Sequence, residues 1–87
     1  MEPTSVSIES LQDKITSGLQ ATHTEIVDMS DGCGQAYSAT IVSPLFEKKT
    51  MLARHRLVNT LLKVEIAAIH AWTVKCYTPS EWKNFTQ

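Results

Sequence analysis

Val6, Ile8, Leu11, Ile15 and Leu19 recur mostly at steps of three and four. That is the period of an amphipathic helix, and it predicts one over residues 5–21. Ser5 or Ser7 is placed to cap its start, while Gly18 weakens its last turn by about 1 kcal/mol relative to alanine. From His23 to Met29, Ile26 and Val27 stand among polar residues and predict a short strand. Tyr37, Ala39 and Ile41 alternate with Ser38 and Thr40, the pattern of a strand with one buried face, and Pro44 stops it. Ser30-Asp31-Gly32-Cys33-Gly34 is the turn cluster between the two runs. A turn that short makes them an antiparallel hairpin.

The helical period returns after Glu47-Lys48-Lys49. Val58, Leu61, Leu62, Ile66 and Ile69 lie at offsets of 0, 3, 4, 8 and 11 and predict a long helix from about Thr50 to His70. Arg54, Arg56, Lys63 and Glu65 are placed on its exposed face. Trp72, Val74 and Cys76 then alternate with Thr73 and Lys75, a third strand with Cys76 as a small buried hydrophobe. Thr78-Pro79-Ser80-Glu81 reads as a helix start: a threonine cap, proline at the first helical position, and glutamate three on from the cap. A short final helix with Trp82 and Phe85 follows. The order is α-β-β-α-β-α. The second strand, long helix and third strand form a crossover unit, so those two strands are expected to run parallel. The fold class is α+β, a three-stranded mixed sheet with helices packed on it.

Eighty-seven residues accommodate one such domain, spanning 1–87, with a small core. The longest apolar run, Ile66 to Ile69, falls far short of the ~20 residues that span a bilayer, so no membrane partner is expected. Met1-Glu2-Pro3-Thr4-Ser5 has neither the basic end nor the apolar stretch of a secretory signal. Two cysteines, Cys33 and Cys76, are too few for a disulfide framework. A cytoplasmic location, extending to the nucleus, is the expectation. Net charge is −1, which is not the footprint of a general nucleic-acid binder. The charge is nevertheless lopsided: residues 1–31 hold six acids and one lysine, residues 32–87 seven bases and three acids. Such polarity suggests a partner-facing surface but specifies no chemistry.

Enzymatic and metal motifs are scarce. No phosphate-cradling glycine loop, Cys-x-x-Cys, His-Glu-x-x-His or nucleophile elbow is present. Cys33, between two glycines, is either an incidental loop cysteine or a ligand or redox thiol with open access on both sides. His70, at the end of the long helix, is either a cap favoured by the helix dipole or a ligand. His55, inside Arg54-His55-Arg56, reads as a structural or basic-face residue, and His23 opens a strand with no partner in view. Together Cys33 and His70 supply two of the four ligands that a zinc or iron–sulfur site takes. Such a half-site is useful only when another chain completes it.

The run Phe46-Glu47-Lys48-Lys49-Thr50-Met51-Leu52-Ala53-Arg54-His55-Arg56-Leu57-Val58-Asn59 resembles the signature of the BolA family. So do Ile69-His70-Ala71, Lys75, Thr78-Pro79 and Glu81-Trp82, and Asp31-Gly32-Cys33-Gly34 is similar to the loop of its cytosolic, cysteine-bearing subgroup. The likeness runs from about Leu11 to Trp82 and departs at Lys48, where many members have glycine. The resemblance implies a fold similar to the class II KH domain and a non-enzymatic adaptor in iron–sulfur trafficking or iron-responsive regulation. It also implies a heterodimer with a monothiol glutaredoxin. In that pairing Cys33 and His70 co-ligate a bridging 2Fe–2S cluster, and the glutaredoxin cysteine and a glutathione complete the ligand set. The alternative, a KH-like nucleic-acid-binding regulatory module, is prompted by the fold and by Lys48, Lys49, Arg54, Arg56 and Lys63. KH domains clamp the nucleic-acid backbone with a Gly-x-x-Gly loop, whereas the turn here reads Glu47-Lys48-Lys49-Thr50.

Overall fold

Ser7 accepts a hydrogen bond from the Ser10 backbone N–H at 3.1 Å and opens helix α1, Ile8–Leu19. The helix ends at Gln20, which takes a left-handed conformation and returns its N–H to the Thr16 carbonyl. In this computed structural model the described residues are 7–29, 36–69 and 71–86. The remaining elements are strands β1 (His23–Asp28) and β2 (Ala36–Val42), a 3-10 turn (Pro44–Phe46), helices α2 (Met51–Leu61) and α3 (Lys63–Ala67), strand β3 (Ala71–Tyr77) and helix α4 (Pro79–Thr86). The sheet runs β1-β2-β3, antiparallel between the first two and parallel between the last two. This is the α+β order the sequence predicts.

The sheet face carrying Tyr37, Ala39 and Ile41 is buried, as the alternation requires, beneath Leu11, Ile15 and Leu19 of α1 and Val58 and Leu62 of the helical segment. Gly18 contributes more than a weak last turn. A Cβ there would stand 2.7 Å from a Leu61 methyl, so the bare glycine lets α2 approach α1 closely. Ser43 is buried but fully used: its hydroxyl donates to the Leu19 carbonyl (2.5 Å) and accepts from the Leu45 N–H (3.0 Å), while its own N–H donates to the Tyr77 carbonyl (3.0 Å). One small polar residue thereby ties α1, β2 and β3 together. On the opposite sheet face, Trp82 of α4 stacks on His23 (5.0 Å between ring centroids) and tilts against Tyr77 (5.4 Å).

Two expectations for the long helix are corrected. It is not continuous from Thr50 to His70: the backbone turns at the fully buried Leu62 (φ −105°, ψ 23°), and α3 ends at Ala67. Hydrogen bonds from Leu62 N–H to the Val58 carbonyl (2.9 Å) and from Ile66 N–H to the Leu62 carbonyl (2.8 Å) carry the chain through the break. The second correction concerns its polar residues. Arg56 and Lys63 are exposed, but Arg54 is buried at 6% exposure and Glu65 is partly buried in an ion pair. Arg54 lies four residues before Val58, on the same stripe, so the helix turns it inward whatever its charge.

The turn before α2 holds Lys48 at φ 64°. Left-handed backbone costs a non-glycine residue about 1–2 kcal/mol, partly offset because glycine loses more freedom on folding. Lys48→Gly is therefore expected to stabilise the protein by about 0.5 kcal/mol, a rise in Tm of roughly 2–4 °C. A fall in Tm on thermal unfolding would show instead that the lysine side chain holds the turn.

Candidate functional site

Cys33 and His70 themselves lie outside the described residues, but the residues that bracket them do not. The Met29 N–H donates to the Ala36 carbonyl at 2.7 Å and closes the hairpin at the base of positions 30–35. Ala36 opens β2, and its Cα partner across the parallel pair is Ala71, the residue following His70. Ile69, the residue preceding it, sits in the core at 8% exposure, with its N–H on the Ile66 carbonyl (3.1 Å). The loop that carries Cys33 thus returns to the sheet on the strand next to the one His70 leads into. Neighbouring strands stand about 4.8 Å apart. One layer further in, Tyr37 is the partner of Trp72. Burial, and secondarily the charge of Asp28, push the Tyr37 phenol above its usual pKa and keep it neutral.

The approach to position 70 is held from outside. α3 buries no residue of its own and has no side-chain cap. Lys14 on α1 fixes it instead, with Nζ 3.1 and 2.9 Å from the two Glu65 oxygens. That contact holds the Glu65 carboxyl below its usual pKa against the opposing effect of burial.

At the far end of β3 the chemistry belongs to Arg54. Its Nε donates to the Lys49 carbonyl (3.0 Å), Nη1 to the Cys76 carbonyl (3.2 Å) and to Glu81 Oε1 (2.8 Å), and Nη2 to Glu81 Oε2 (3.2 Å). Glu81 also completes the capping box read from the sequence: Thr78 N–H donates to it at 3.0 Å, and Glu81 N–H donates to the Thr78 hydroxyl at 3.1 Å. The Arg54 bond, followed by the Thr78 backbone bond, draws the Glu81 carboxyl down to about 2. This network is structural, and the signal that could have revealed it is the spacing of Arg54 to Val58.

Cys76 is fully buried, as expected. Burial pushes its thiol up to about 11, against a partial opposing pull from Arg54. About one thiol in a thousand is then ionised at pH 8, and nucleophilic reactivity follows the thiolate. A Cys33→Ala variant should titrate no thiol with a disulfide reagent until denaturant is added. Rapid native labelling would contradict this burial. Among the described residues, no group of three or more His, Cys, Asp or Glu side chains gathers as a metal site.

The family profile for BolA-like proteins matches residues 5–81. The chain belongs to the BolA family. It is similar to Protein BOLA2 of Arabidopsis thaliana, 42% identical over 83 residues, which covers 94% of this chain and 89% of the relative. It is also similar to BolA-like protein 2 of Homo sapiens, 40% identical over 83 residues, covering 94% and 96%. A more distant relative, 32% identical over 84 residues and covering 88% of this chain and 79% of its own length, is the DNA-binding transcriptional regulator BolA of Vibrio cholerae. Among solved structures, a bol-like protein from Babesia bovis superposes with a TM-score of 0.88 at 42% identity, covering 98% of this chain and all of the other. The likeness to proteins of the BolA2 type agrees with the cysteine-bearing subgroup that the sequence resembles. The family is one of regulators and adaptors, not of enzymes. No described helix is long and apolar enough to cross a membrane.

Proposed function

We propose that this BolA-family chain is a non-enzymatic adaptor that binds a monothiol glutaredoxin and shares a bridging 2Fe–2S cluster with it. Its setting is iron–sulfur trafficking or iron-responsive regulation in the cytoplasm, with the nucleus as a second location. Cys33 and His70 are this chain's ligands, and the glutaredoxin cysteine and glutathione supply the rest. The observation that carries the reading is the register Ala36↔Ala71, which attaches the Cys33 loop and the His70 segment to adjacent strands at one end of the sheet. The donor set also suits the group. With the glutaredoxin cysteine and glutathione, the set is three thiolates and one imidazole, which leaves the cluster less negative than four thiolates would, and its potential higher. An imidazole ligand needs an acceptor for its second nitrogen, and the carbonyls where α3 runs out are of the right kind. Anaerobic reconstitution of the protein with a monothiol glutaredoxin and glutathione should give a heterodimer with a visible circular dichroism spectrum distinct from that of the glutaredoxin alone. An unchanged spectrum and no heterodimer would end the proposal.

The Vibrio relative's name supports a second reading, binding of nucleic acid. Against it stands the turn itself, Glu47-Lys48-Lys49-Thr50, which offers no glycine for close approach to a phosphate backbone. Binding to short RNA or DNA is expected to be weak and to disappear between roughly 50 and 200 mM salt. A dissociation constant of about 10⁻⁸ M at physiological ionic strength, with sequence preference, would reverse that ranking.

A further inference from the structure

β3 is an edge strand, and its hydrogen-bond pattern shows which of its groups are free. In a parallel pair, a residue whose carbonyl accepts from the neighbouring strand directs its own N–H there too, and the residues on either side direct both groups outward. The Ser43 N–H donates to the Tyr77 carbonyl, one residue beyond the Val42↔Tyr77 pair. Tyr77, Lys75, Thr73 and Ala71 therefore face β2, and Cys76, Val74 and Trp72 face the open edge. Arg54 already occupies the Cys76 carbonyl. The outward N–H and C=O groups of Trp72 and Val74 have no hydrogen-bond partner among the described residues. The open part of the edge is thus the half that begins two residues after His70, and its two outward residues are about 7 Å apart.

We infer that this half-edge, Trp72 to Val74, is where the cluster-sharing partner docks, by adding an extended, acidic segment as a fourth strand. The inference rests on the cluster-sharing reading and says how the partner is held. Strand addition supplies main-chain hydrogen bonds and fixes register. A partner strand placed here has its backbone locked two residues from His70, which sets where its own ligand lies. Charge selects the occupant. Lys75, exposed on the strand one residue beyond this half, and Lys63, exposed at the start of α3, have no acid partner among the described residues. Two copies paired edge to edge would bring like charges together, and lysine on an edge is a common guard against that association. An acidic segment meets attraction instead.

The test is amide hydrogen exchange, read by mass spectrometry at single-residue resolution. It compares the free protein with its complex with a monothiol glutaredoxin carrying a glutathione-ligated 2Fe–2S cluster. The Trp72 and Val74 amides should slow at least tenfold in the complex, while Ala71, Thr73 and Lys75 change little. Val74→Pro removes an outward N–H and leaves the β2 ladder intact, and it should weaken the complex at least tenfold. Lys75→Glu, which asks nothing of the backbone, should weaken it severalfold and flatten its salt dependence. A complex of full affinity in which Trp72 and Val74 exchange as in the free protein overturns the edge inference and leaves the shared cluster standing. Failure to form any complex overturns both. Protection that grows with the protein's own concentration, without glutaredoxin, assigns the edge to a second copy and overturns the inference as well.

Discussion

Arg54→Ala is expected to lower stability by about 3 kcal/mol, a fall in Tm of roughly 15 °C. The change strips donors from two backbone carbonyls, Lys49 and the buried Cys76, and each buried acceptor left without a partner costs about 1–3 kcal/mol. It also removes the side chain that lies 5.9 Å from the Phe46 ring centre, at the margin of a cation–π contact. The Glu81 side chain is 48% exposed and can turn to water, so its loss adds little. Arg54→Lys should recover part of the deficit only, since an ammonium cannot reach three separate acceptors in a planar fork. Glu81→Gln should cost about 1 kcal/mol, because the amide oxygen still caps α4. The same pair sets an acid limit. The folded-state pKa of Glu81 is depressed from 4.5 to about 2, so its contribution is complete above about 4.5 and is lost as pH falls through that interval. Thermal unfolding from pH 7 down to 2 should show the acid loss in wild type and a shallower one in Glu81→Gln. An Arg54→Ala protein melting within 3 °C of wild type would show that the guanidinium is dispensable.

His70→Ala should abolish or scramble the shared cluster, the largest expected effect on function. The histidine follows a core residue, Ile69, and precedes a strand, so no neighbouring group can easily move into its place. Cys33→Ala should be milder: water or a nearby side chain can substitute in a loop, leaving an altered spectrum and a shorter cluster lifetime. Neither change is expected to shift stability by more than about 0.5 kcal/mol. The measurements are visible circular dichroism of the glutaredoxin complex and Tm of each variant alone. A wild-type cluster spectrum in His70→Ala would remove that residue from the ligand set.

What could be read from the chain was whatever depends on near neighbours. Leu11, Ile15 and Leu19 fall on one face because four residues make roughly one turn, and Thr78 with Glu81 forms a cap within a single turn. The charge of Arg54 points to the surface, but its position decides its burial: residues 54, 58, 61 and 62 form one stripe. The turn at Leu62 was not legible at all, since neither glycine nor proline marks it. The Lys14–Glu65 pair spans 51 residues of sequence and is visible only after folding. The candidate ligands were different again. Periodicity leaves Cys33 and His70 as two unremarkable residues, and only their likeness to a family singled them out. The pairing of Ala36 with Ala71, a non-local register, sets side by side the strands that follow those two positions.

Because Glu81 serves both its own helix start and Arg54, α4 is not an independent appendage. A protease cut after Tyr77 would strip the counter-charge from a guanidinium buried in the body of the domain, 27 residues earlier in the chain. As that side chain turned out to solvent, the Cys76 carbonyl would be bared and the sealed end of β3 would join the open one. The shortened protein would then carry a free strand edge along most of β3's length, too long for the single Lys75 on it to keep identical chains from stacking there. Loss of the last helix would be felt first as insolubility, with weakened folding behind it.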